Sequence, residues 1–285
     1  MARPARGALR DVNPIIAVLV VIGTTALTVT AMLLVRRRAP EGSYFADGDR
    51  ASGVFGVIAT GFAVLLGFIV FLAFQSYDAA RSGAETEALV VGQQVETAQL
   101  LPEESRAELT ADLVCYARSV AGVQWEKMEN GTLGDAPNPW GVELFQATRT
   151  LDPKTATEQS AYDAWISQTM DREAARNDRI HGAVGVIPTP LWIALFVCAA
   201  TIFGYMLFFA DSGERATTQA ALMGSVTIVI TSLFVLLVFL DNPFHRGIGG
   251  LRPVAMTRAV RVIDEELKIG GLTLKLPCDL RGVAR

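Results

Sequence analysis

The chain has 285 residues, 51% of them hydrophobic and only 19% charged, with a formal net charge of −4. That balance excludes a pair of ordinary globular domains, in which about a quarter of residues carry charge. Net charge alone excludes little, but no basic block interleaved with aromatic residues offers nucleic acid a footprint, so nucleic acid is not an expected partner.

The apolar excess collects in four runs, 15–35, 54–74, 191–210 and 220–240, with no Asp, Glu, Lys or Arg inside any of them. At about 1.5 Å per residue, about twenty residues cover the hydrocarbon core of a bilayer, so each run reads as a membrane span. Arg3, Arg6 and Arg10 precede the first run as a basic leader would precede a secretory signal. Its apolar stretch is too long for one, and Arg36, Arg37 and Arg38 follow where a cleavage site needs small residues. It reads as a retained anchor, with Asn13 as its cap and Pro14 at the first helical position.

The second run is rich in glycine, at 56, 61 and 67. One reading is helix packing, since glycines let neighbouring helices approach. The other starts from Thr60, Val64 and Phe68, which fall at i, i+4 and i+8 on one helical stripe. A ring of such stripes about an oligomer axis makes a narrow apolar constriction that gates by dewetting.

Between the second and third spans the pattern predicts helices over 78–101, 103–128 and 156–183, with a Gly- and Pro-rich loop over 130–139. Pro188 and Pro190 restart the chain into the third span, with Trp192 at headgroup depth. An amphipathic helix is expected over 253–268, and no β-rich region or internal repeat is expected. The fold class is therefore all-α integral membrane, with four transmembrane helices and a cytoplasmic helical domain inserted between the second and third. The segments divide as 1–75 (spans one and two), 76–187 (the helical domain), 188–240 (spans three and four) and 241–285 (a cytoplasmic C-terminal segment).

The side assignment rests on arginines. Near membrane ends, the terminal and middle segments carry Arg10, Arg81, Arg172, Arg176, Arg179 and Arg246 among others, against Arg36, Arg37, Arg38, Arg50 and Arg215 in the two opposing loops. The positive-inside rule then places the termini and middle domain in the cytoplasm, although the Arg36 triplet alone argues the reverse.

No enzymatic constellation is present. His181 and His245 form no metal-binding pair, no serine elbow or phosphate-cradling glycine loop appears, and neither a cofactor nor a metal is expected. Cys115, Cys198 and Cys278 are an odd set, far apart and without metal spacing, and read as small residues, buried or half-buried.

Several short motifs fall in order along the spans: Leu66-Gly67-Phe68, Gln75-Ser76-Tyr77-Asp78, Arg176-x-x-Arg179-Ile180, Pro188-x-x-Leu191-Trp192, and Leu240-Asp241-x-Pro243-Phe244. In these the chain resembles bacterial bestrophin-like membrane proteins and, more distantly, the bestrophin anion channels. The resemblance implies a homopentamer that passes small monovalent anions, with the second span lining the axis and a neck at Thr60, Val64 and Phe68. Thr60 departs from the aliphatic or aromatic residue expected there. The triplet Arg36, Arg37 and Arg38 would lie at the outer mouth, where its field concentrates anions, or would simply snorkel to headgroups. Asp241, Asn242, Pro243 and Phe244 read as a structural joint after the fourth span. Animal bestrophins follow this motif with an acidic calcium clasp, whereas His245-Arg246-Gly247-Ile248 here supplies no carboxylate.

The functional expectation is thus an oligomeric, passive, chloride-type channel in the cytoplasmic membrane. The competing class is a non-conducting sensor or scaffold whose cytoplasmic helices bind a partner. A transporter ranks behind both, because no span carries a buried charge or a matched unwound break.

Overall fold

In a computed structural model, the structure describes residues 14–133, 137–271 and 274–285. The described residues are nearly all helical, with no strands, and four helices are long and apolar enough to cross a membrane. They are α1 (Pro14–Arg36), α2 (Gly48–Ala98), α7 (Thr189–Phe208) and α8 (Ala216–Asp241). Pro14 opens α1 as expected, while Asn13 and the arginines before it lie outside the described residues. The chain divides into two compact units, one comprising 1–76 with 186–249 and the other 77–185 with 250–285.

In the first unit α1 runs along α8. Two threonine pairs join them, Thr28 with Thr227 at 2.9 Å and Thr24 with Thr231 at 3.3 Å, beside Gly224, which faces Val29 and Thr25. Each hydroxyl is also bound to its own helix backbone or its partner, which keeps these polar atoms satisfied inside the membrane. The core is built from Phe62, Leu66, Ile69 and Ala73 of α2 packed with Leu195 and Ile202 of α7 and Leu237 of α8. At one end, the loop before α2 turns through Gly42 and Ser43, both at positive φ, and delivers Phe45 against Phe209 at a ring distance of 4.9 Å.

The second unit holds the remainder of α2 with α3 (Glu103–Ser119), α4 (Trp125–Glu129), α5 (Pro139–Thr148), α6 (Ala156–His181) and α9 (Val254–Ile269). Pro102 stands at the start of α3, and α2 ends short of it at Ala98 rather than at 101. The helix expected over 103–128 is interrupted by a π-helical turn, Val120–Gln124. The stretch after the loop, unassigned in the sequence, forms α5. Asn138 caps it by accepting from the Trp140 amide at 3.0 Å, and Pro139 occupies the first turn. A capping box between Thr155 and Glu158 starts α6.

At Gly83 the backbones of α2 and α6 approach closely. A Cβ there would sit 2.7 Å from the Ala175 carbonyl oxygen and 2.7 Å from the Arg179 amide nitrogen. The cysteines are buried or half-buried as read, and beyond that reading Cys115 of α3 and Cys278 form a disulfide across 163 residues, while Cys198 is free. The pairing was invisible in sequence because only folding brings these positions together.

Candidate functional site

The membrane-spanning part of α2 has two distinct apolar faces. Phe62, Leu66, Ile69 and Ala73 fill the core of the first unit, whereas Val57, Thr60, Val64, Phe68 and Phe71 point away from it. Val64 is 68% exposed and Phe68 62%, high values for apolar side chains of a folded chain. The glycines at 56, 61 and 67 have open space where a Cβ would be, so none of them serves close packing among the described residues. A 3.6-residue repeat generates both faces, and the bulk on one of them has no partner among the described residues.

The arginine triplet is not one group. The guanidinium of Arg36 donates to the Ser212 carbonyl at 3.0 Å and also to the Glu214 carbonyl, which fastens the end of α1 to the loop between α7 and α8. Arg37 and Arg38 are exposed. That loop is shaped by Asp211, whose carboxylate accepts from the amides of Gly42 at 3.0 Å and Gly213 at 2.7 Å, contacts that hold its pKa below the usual range.

At the other end of the fourth span, buried Asp241 accepts from the backbone amides of Val186 at 2.7 Å and Ile187 at 2.9 Å, just ahead of α7. The Asn242 side chain donates to the Val238 carbonyl, and Phe244 is buried. His245 sets one ring nitrogen 2.7 Å from the Asn242 carbonyl and the other 3.2 Å from that of Ile248. Asp241 thereby ties the end of α8 to the segment ahead of α7, Asn242 holds the turn to α8, and His245 braces the turn internally.

The second unit is organised around a buried charged network that the sequence did not reveal. Arg179 donates to both carboxylate oxygens of Glu87, Tyr116 donates to the same carboxylate at 2.6 Å, and Gln124 accepts from Arg179 at 3.3 Å. Arg172 lies 4.8 Å over the Tyr116 ring and donates to Gln94 at 2.9 Å. Burial, with the Glu87 charge, pushes the Tyr116 hydroxyl well above its ordinary pKa, so it stays a donor. Arg179 belongs to one of the ordered motifs, but Glu87 gave no signal, because the two are 92 residues apart. Among the described residues no group of three His, Cys, Asp or Glu is gathered as a metal site.

The chain matches the Bestrophin-like domain family over residues 22–254 and belongs to that family of membrane proteins. It is similar in fold to a crystal structure of a bacterial bestrophin homologue from Klebsiella pneumoniae, with 16% identity and a TM-score of 0.63 over 92% of this chain and 100% of that one. A tryptophan-to-alanine variant of such a homologue from the same organism aligns at 14% identity and a TM-score of 0.65, covering 90% of this chain and 98% of that one. A further crystal structure described as a membrane protein aligns at 15% identity and a TM-score of 0.65, covering 88% and 99%. No curated protein matches the chain in sequence.

Proposed function

We propose that the protein is a homo-oligomeric, passive pathway for small monovalent anions in the bacterial cytoplasmic membrane, a pentamer by family resemblance. Its pore is lined by α2, with Thr60, Val64 and Phe68 as the neck. The observation that carries this reading is the outward apolar stripe of α2, which stands opposite a face already committed to the protomer's own core. Around an axis of copies it closes into a constriction narrow and dry enough to gate by wetting. Arg37 and Arg38 supply positive potential at the outer mouth, while Arg36 holds the loop behind them. The turn from Asp241 to Phe244 is a structural joint, and without an acidic run after it conduction is independent of calcium.

The termini and the segment 76–187 face the cytoplasm in this reading. A cysteine placed at exposed Glu104, in a background with Cys115, Cys198 and Cys278 all replaced by serine, resists impermeant thiol reagents in intact cells and reacts in inverted vesicles. Labelling in intact cells overturns the orientation.

The lining is tested by Val64→Cys in the same background, reconstituted in liposomes. Charged methanethiosulfonate blocks anion flux through Val64→Cys and leaves Leu72→Cys unaffected. A Val64→Cys flux that the reagent does not change puts the stripe against lipid and removes the neck.

A further inference from the structure

Residues 274–285 lie on the second unit as a short strap. The strap folds on itself through Asp279 N to Val283 O at 2.9 Å and Arg285 N to Pro277 O at 3.0 Å. Its seat is the π-helical turn and the end of α3. Gly282, at φ +75°, comes so near that a Cβ would stand 2.1 Å from the Ser119 amide nitrogen. A Cβ on Gly122, inside the π turn, would meet the Arg281 carbonyl at 3.0 Å. Two glycines, one on each partner, thus allow backbone to lie on backbone. The Trp140 indole donates to the Gly282 carbonyl at 2.7 Å, and Arg281 pairs with Glu126 in an ion pair more than half exposed on both sides. An exposed pair holds a segment only weakly. The firm tie is Cys278 to Cys115, with Cα atoms 5.7 Å apart and neither residue exposed.

We propose that Cys115 and Cys278 are a redox modification site that latches this strap. The inference rests on the cytoplasmic placement of this unit proposed above, because in a thiol-reducing compartment such a pair is bonded transiently, as a sensor. Cys278 rides on the strap, whose ion pair is exposed, and becomes reachable when the strap lifts. Its thiolate attacks one oxygen of hydrogen peroxide and expels hydroxide, leaving a sulfenic acid. The Cys115 sulfur then displaces hydroxide from it, so that two thiols and one peroxide become one disulfide and two waters. A cellular dithiol reverses the step. Its thiolate attacks the Cys278 sulfur and Cys115 leaves as thiolate. The second thiol then resolves the mixed disulfide, giving two protein thiols and an oxidised reductant. With the bond closed the strap covers Gly122 and the Trp140 indole; with it open those groups exchange with solvent.

The experiment uses the full chain in its own membranes. Cells grown with and without brief peroxide treatment are quenched in acid and their free thiols blocked with N-ethylmaleimide. The disulfides are then reduced and tagged with a maleimide polymer that shifts the band. Unstressed cells give no tag, and peroxide-treated cells give two, both lost in Cys115→Ser and Cys278→Ser but kept in Cys198→Ser. In parallel, trypsin cuts after Lys275 and Arg281 about tenfold faster in reduced than in oxidised wild-type membranes, as expected for a segment exposed by local opening. A pair already bonded in unstressed cells, a pair that peroxide does not close, or equal cleavage in the two redox states overturns the latch. Neither readout involves ion flux, so conduction stands or falls separately.

Discussion

Arg179 and Glu87 face each other across the α2 and α6 contact with no solvent reaching either side chain, joined by paired hydrogen bonds, one of them 3.0 Å. A buried pair of this kind is costly to break by halves, because the survivor keeps its desolvation penalty without its partner. Glu87→Ala alone, leaving the guanidinium and the Tyr116 hydroxyl without their acceptor, is expected to destabilise the protein by about 3–5 kcal/mol. The double variant Glu87→Ala with Arg179→Met loses less than the sum of the single changes. Thermal unfolding in detergent, read as a double-mutant cycle, checks this, and strictly additive losses would contradict the coupling.

One turn earlier, Gly83 sets the distance between the same two helices. Gly83→Ala drives a methyl group into two backbone atoms of α6 and is expected to cost about 1–3 kcal/mol or more, as overpacking does. Gly92, on the same helix with nothing within 4 Å of its Cβ position, is the matched control. Gly92→Ala is neutral or stabilising by up to about 1 kcal/mol through helix propensity. Melting temperatures of the two variants in one detergent decide it.

Asp112 of α3 is buried, with Glu108 and Glu143 near it, and its pKa is raised to about 6, first by burial and then by those charges. The folded carboxyl holds its proton more tightly than the unfolded one, so its contribution to stability is fully present below about pH 4 and is lost as pH rises through about 6. Asp112→Asn is therefore expected to gain on the order of 1–3 kcal/mol over wild type above pH 6 and to gain little at pH 4. The difference in melting temperature between variant and wild type across pH 4–8 reads this directly, and a difference that does not change with pH would contradict it.

Val64 and Phe68 are expected to limit flux through size. Replacing both by alanine widens and wets the neck, raising anion flux in liposomes without loss of oligomer. Leu66, on the opposite face and buried in the protomer core, separates this effect from packing. Leu66→Ala is expected to lose about 2–5 kcal/mol of stability with no gain in flux. Oligomer loss without increased flux in the Val64 and Phe68 variant would assign the stripe to subunit packing instead.

The spans were legible because a water-soluble fold seldom needs about twenty uncharged apolar residues in a row, and the stripe at 60, 64 and 68 follows from helical period alone. What the period does not give is which stripe meets the protomer core. That depended on Phe62, Leu66 and Ile69 finding partners on α7 and α8. Helix α5 escaped notice because it is only ten residues long and begins with Pro139 inside a Gly- and Pro-rich stretch that reads as a loop. The Glu87 to Arg179 pair and the Cys115 to Cys278 bond join residues 92 and 163 positions apart, and no local pattern in the chain encodes such distances.

Conduction is tested most directly by anion flux through the purified wild-type protein in liposomes. Chloride-loaded vesicles are diluted into an impermeant anion, and efflux is started by a potassium ionophore, with calcium buffered from nanomolar to tens of micromolar. A conducting protein gives protein-dependent chloride efflux that is unchanged across that calcium range. Intact oligomers that leave chloride efflux at the level of protein-free vesicles would contradict it, and would leave the non-conducting sensor or scaffold as the reading of this fold.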